Sequence, residues 1–136
     1  MIIYKTKTNK FCGTSYKEII KKARIIYHSV EKRSKRSAYL RSSYFKKEKV
    51  FFSLFWGHLN QKPKKERLRR LKFLACAIEL IENSNYKPTS KSNPNQKREI
   101  LHRFGGITPS RELFYVQIKE NIKTKRKDFM SVFPEE

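Results

Sequence analysis

Acidic side chains are scarce in this 136-residue chain: 12 Asp and Glu stand against 33 Lys and Arg, a formal net charge of +21. They are scattered singly, apart from the terminal pair Glu135-Glu136. Two-metal hydrolytic centres need clustered carboxylates, so no metal site and no cofactor is expected. Cysteine is equally sparse. Cys12 and Cys76 stand far apart and form no CxxC pair, which excludes a cysteine zinc finger and gives no disulfide framework of the secreted kind. Four glycines leave no Gly-rich phosphate loop, and Gly105-Gly106 reads as a strand irregularity or a turn. No apolar run reaches the roughly 18 residues of a membrane span. The start, Met1-Ile2-Ile3-Tyr4-Lys5-Thr6, lacks the apolar core of a signal peptide. The expectation is a cytoplasmic protein with no membrane partner.

What is present is positive charge laid over a core-forming chain. Hydrophobic residues make up 38% and aromatics 13%, enough material for one ordinary domain over residues 1–136 and too little for two. The cations run along most of the sequence and form no single tail, so they belong to a folded surface. Solubility alone needs far less charge. Lys and Arg that neutralise phosphates release condensed counterions, so a nucleic acid is the partner this composition implies.

The organisation reads as helices first and strands afterwards. Ser15 stands three residues before Glu18, the spacing of a capping box. Ile19, Ile20, Ala23, Ile26, Tyr27 and Val30 then follow at helical spacing, so 16–31 reads as an amphipathic helix. The block 44–59 is apolar nearly all round and reads as a buried helix, with a strand at 49–56 as its rival. Pro63 suits a helix start, and 64–83 carries one apolar stripe behind Arg67, Arg69, Arg70 and Lys72. Residues 84–98 have the composition of a connector or mobile loop. Three strand-like stretches close the chain at 100–107, 113–120 and 127–133. Their short polar connections predict an antiparallel meander, so the fold class is α+β, with N-terminal helices (15–83) packed on one face of a C-terminal sheet (99–134).

Strict alternation puts Phe114, Val116, Ile118, Met130 and Val132 toward the helices and Tyr115, Gln117, Lys119, Phe129, Ser131 and Phe133 on the other face. His102 and Phe104 share a parity and join this second face in one register; a one-residue shift brings Arg103 there instead. Rings that stack on unpaired bases, beside cations that hold phosphates, are how a sheet grips single-stranded RNA, which favours RNA over DNA. The nucleic-acid contacts assigned on this reading are Arg69, Arg70, Tyr115, Gln117, Lys127 and Phe129. Metal-independent RNA cleavage needs a base for the 2′-OH, an acid for the 5′ oxygen and cations for the phosphate. His102, Arg103, Lys119 and Ser131 are the candidates for those duties, while His28 and His58 read as structural or surface residues.

Three C-terminal segments also carry a resemblance: His102-Arg103-Phe104-Gly105-Gly106, Leu113-Phe114-Tyr115-Val116-Gln117-Ile118-Lys119-Glu120, and Arg126-Lys127-Asp128-Phe129-Met130-Ser131-Val132-Phe133-Pro134. Together they resemble the sheet of the barnase–EndoU–colicin–RelE class of ribonucleases, in its phage- and mobile-element-associated form. The resemblance covers roughly 99–134. It implies a metal-independent, toxin-type endoribonuclease with site residues at His102, Arg103, Gln117, Lys119 and Ser131. The paired histidines of the EndoU branch and a glutamate base of the barnase kind are missing from the matching positions. Two other readings stay open beside it: a non-catalytic nucleic-acid-binding protein of a mobile element, and an interaction module for an acidic, antitoxin-like protein partner.

Overall fold

A computed structural model describes residues 1–135. The chain runs β1 (Tyr4–Lys5), α1 (Tyr16–Lys32), β2 (Tyr39–Ser42), β3 (Glu48–Phe51), α2 (Ser53–Asn60), α3 (Lys64–Leu71) and α4 (Leu74–Asn83). It then closes with β4 (Thr89–Asn93), β5 (Gln96–Ile107), β6 (Leu113–Asn121) and β7 (Lys127–Pro134). The α+β class stands, but the arrangement expected within it needs correction. Helices are interleaved with strands, and the seven strands form one mixed sheet in the order β1-β5-β6-β7-β3-β2, with β4 on β5. The β5-β6-β7 part is the antiparallel meander expected, whereas β1 joins β5 and β3 joins β7 in parallel. Parallel neighbours need a long crossover, and β3 meets it by running through Phe52 straight into α2.

Helix α1 starts where the capping spacing predicts. Ser15 lies in extended backbone and its Oγ accepts a long, 3.5 Å hydrogen bond from the Glu18 N–H. The all-round apolar block does not form one helix. Residues 43–47 turn the chain between β2 and β3, with Lys46 and Lys47 both in left-handed backbone (φ 56° and 67°). The run 64–83 is broken at Lys72–Phe73, where Phe73 takes φ −96°, ψ 6° and its N–H bonds back to Arg70 O at 3.1 Å. At that break the Phe73 ring enters the core, stacked on Phe114 at 5.5 Å between centroids. Residues 84–98 are not a free loop either: β4 pairs with β5 from Thr89↔Arg103 onward.

The core lies between the sheet and α1, α2 and α4, around fully buried Phe52, Phe55, Phe114 and Phe129. Gly105 and Gly106 sit inside regular β5 pairing, not at a turn or a bulge. Their reason is close approach. A Cβ on Gly106 would lie 2.4 Å from the Phe114 ring, and one on Gly105 would lie 2.5 Å from Ile3 Cδ1. Across β1, the Glu79 carboxylate of α4 accepts from the Tyr4 hydroxyl (2.9 Å) and from the Lys7 and Thr8 N–H groups (2.9 and 3.0 Å), tying the first strand down.

Candidate nucleic-acid interface

Register decides which side chains meet. Phe104 pairs with Val116, Arg103 with Gln117 and His102 with Ile118, and paired residues share a face. Even positions of β5 and β6 therefore face the helices, and odd positions face away. On β7 the parity changes midway. Val132 pairs with Val116 and Ser131 with Gln117, but Phe129 pairs with Ile118, so Met130 is the extra residue of a β-bulge.

Three expected contacts are thereby moved to the inner face. His102 is 8% exposed and lies under the Phe45 ring, at 5.1 Å between centroids. A carboxylate only accepts, so His102 Nε2–H donates to Glu120 Oε1 (2.7 Å), while Nδ1 and the Ser90 hydroxyl meet at 2.6 Å. Lys127, 4% exposed, donates to Glu48 Oε1 at 2.6 Å and lies 3.6 Å from Glu120 Oε2. Phe129 is wholly buried and stacks on Phe55 at 4.8 Å. None of these three is presented on the face that carries Lys119. The cause for His102 is the register of β5, and for Phe129 the bulge at Met130. For Lys127 it is a place on β7 opposite Glu120 and beside Val50 of β3.

The outer face keeps the other candidates. Arg103, Tyr115, Gln117, Lys119, Ser131 and Phe133 share it. Arg103 reaches Gln117 Oε1 at 3.4 Å, and its guanidinium sits 5.2 Å from the Phe133 ring and 6.0 Å from the Tyr115 ring. Lys119 pairs with Glu99 at 3.3 Å. On the β4 side, Thr89, Lys91 and Leu101 join Arg103 and Gln117 around a shallow depression. On the β7 side, α2 and α3 raise a wall. There His58 and Arg70 close over Met130 and Ser131, with Phe55, Leu59 and Val132 behind them and no room for a water between, so Ser131 is buried. The Arg70 guanidinium lies 5.5 Å from the Phe133 ring. Arg70 and Arg69 both also bind Glu66, at 3.1 and 3.0 Å. Burial pushes that carboxyl up, but the two arginines outweigh it and hold Glu66 below its ordinary value.

His58 is the residue that reading the sequence misses. Burial, and then the charges of Lys62, Lys119 and Arg70, push its imidazole below the ordinary 6.5. It is thus pressed toward its neutral form and set among cations. No local pattern announces this. His58 lies in the short helix α2 with two residues after it, and its surroundings come from α3 and β6.

No protein-family model matches this chain, and no curated protein or solved structure matches it either. Among the described residues, no helix is long and apolar enough to cross a membrane, and no group of three His, Cys, Asp or Glu side chains is placed to hold a metal ion.

Proposed function

We propose that this chain is a basic RNA-binding protein with a metal-independent, toxin-type endoribonuclease centre on the outer face of its sheet. The class is the barnase–EndoU–colicin–RelE one that its C-terminal third resembles. The observation that carries the reading is the gathering of Lys119 and Arg70 around the partly exposed His58 at the edge of the outer face. In the reaction, His58 takes the 2′-OH proton and the 2′ oxygen forms a bond to phosphorus. The P–O5′ bond breaks, leaving a 2′,3′-cyclic phosphate, and the 5′ oxygen takes a proton from solvent. Arg70, Arg103 and Lys119 face the charge that grows on the phosphate, with Gln117 and Ser131 as hydrogen-bonding groups. Tyr115 and Phe133 supply ring faces for an unpaired base.

The test is incubation of purified protein with total RNA in chelator, with His58→Ala and His102→Ala in parallel. Cleavage by the parent is expected to fall by about 100-fold or more in His58→Ala, the scale of a lost general base. Lack of any product from the parent, or equal cleavage by His58→Ala, would sink the catalytic assignment. A second reading, binding without cleavage, draws on the Arg70–Glu66 and Lys119–Glu99 pairs, which already satisfy part of the cationic surface. It predicts steeply salt-dependent binding and no product.

A further inference from the structure

A second aromatic surface lies away from the sheet, between α1 and α2. Tyr16, Ile20, Arg24 and Tyr27 form one stripe along α1, and Tyr27 meets Trp56 of α2 edge to face at 5.4 Å beside a groove of about 320 Å³. The rings are half-exposed and Arg24 is exposed. The volume suits one planar ring system with a phosphate rather than a folded partner.

Charge and continuity give this groove a ligand chemistry. Exposed Arg24 lines it, and the Lys64 and Arg67 side chains lie 5.4 and 5.5 Å from its Tyr16 ring. Cations set beside rings suit an anionic ligand that carries a planar base. Lys64 and Arg67 of α3 cover Tyr16, and one turn on, Arg70 of the same helix covers Phe133 on the sheet. One basic helix therefore joins the groove to the proposed cleavage face.

We infer that the α1–α2 groove is a base-stacking subsite for single-stranded RNA, holding an unpaired nucleotide of the strand whose scissile phosphate lies on the sheet face. This rests on the RNA reading above and narrows it to substrates with an unpaired flank. Duplex RNA keeps its bases stacked within the helix and offers the groove no ring.

Trp56 is the sole tryptophan of the chain, so its fluorescence reports the groove directly. A short single-stranded oligoribonucleotide, 2′-O-methylated so that it is not cut, is titrated against the full chain at low salt, beside the same sequence as a duplex. Quenching by the single strand and little by the duplex is expected. Arg24→Glu is expected to weaken the single strand by about tenfold more than Lys97→Glu, on the scale of a lost base-stacking contact. The Lys97 variant changes the net charge equally on the β4–β5 hairpin. RNA binding and cleavage with no change at Trp56, or equal losses in the two variants, would overturn the groove while leaving the cleavage centre standing. Quenching without any cleavage would do the reverse, keeping the groove and removing the nuclease. An acidic peptide that quenches Trp56 where RNA does not would also overturn it.

Discussion

Two polar clusters lie back to back across β5 and β6, and their charge is arranged in opposite ways. On the inner face, Glu48, Lys127, Glu120, His102 and Ser90 form a chain in which each group meets its neighbour, buried at Lys127 and His102 and open to water at Glu48 and Ser90. On the outer face and its wall, Arg70, Arg103, Lys119 and His58 gather, with carboxylates at Glu66, Glu99, Asp128 and Glu135 along its borders. A buried polar group must find its partner inside the protein, because water cannot reach it. The buried middle of the inner cluster, Lys127 and His102, is therefore matched within the protein and works for the fold. The outer cluster keeps an excess of one sign, and that excess is what a phosphate can use. The two histidines show the lesson at the scale of one residue. His102 is held at both ring nitrogens, whereas His58 is pressed toward its neutral form by burial and cations.

The contrast breaks first at Lys127. Lys127→Ala leaves Glu120 without its buried cation and is expected to cost about 3–5 kcal/mol in urea unfolding. Its loss of RNA affinity should match that of any single surface lysine; a much larger loss with normal stability would return Lys127 to the binding face. Phe129→Ala removes a ring stacked in the core and should cost about 3–5 kcal/mol by the same measurement. His102→Ala leaves Ser90 and Glu120 unmatched, at about 1–3 kcal/mol, and should still cleave RNA at temperatures where it stays folded. His58→Ala should do the opposite, stable and inactive, so the two variants together decide which histidine belongs to which cluster.

The pH dependence sharpens the comparison further. A base must be unprotonated, and His58 is held below its ordinary value, so cleavage should switch on at lower pH than an unperturbed histidine would allow. Removing a neighbouring cation in Lys119→Gln should move that midpoint upward; a midpoint that does not move would separate Lys119 from His58. The smallest effect belongs to Arg103→Ala. It should reduce the slope of log affinity against log salt by about 0.7 for a single strand, which a salt series of binding curves would detect.

How much of this was legible in the sequence varies by segment. Helix α1 announces itself through Ser15, Glu18 and a clean apolar stripe, and β5, β6 and β7 through alternation. The β2–β3 hairpin is hidden because its left-handed positions hold Lys46 and Lys47 instead of the Gly or Asn that mark such turns. The α3–α4 break carries neither Pro nor Gly, since the core placement of Phe73 imposes it. Strand β4, Thr-Ser-Lys-Ser-Asn, has no apolar residue, so only its pairing with β5 makes it a strand. For the site, alternation puts Gln117, Lys119 and Ser131 on one face, as the pairing has them, and leaves Arg103 open between two registers. It places His102, Lys127 and Phe129 on the wrong side or in the wrong role, because register and a bulge are tertiary choices. His58 has significance only through neighbours distant in the chain.

The bulge at Met130 has a consequence best put in the language of insertions and deletions. It divides β7 into two half-strands of opposite phase, each correctly faced, with one surplus residue between them. Loss of that single residue would leave Phe129 inside and Ser131 outside. Loss of a residue elsewhere in the strand would turn one half over. In a lineage of related chains, the bulge is thus the place within β7 where length can change without inverting the surface that meets the ligand.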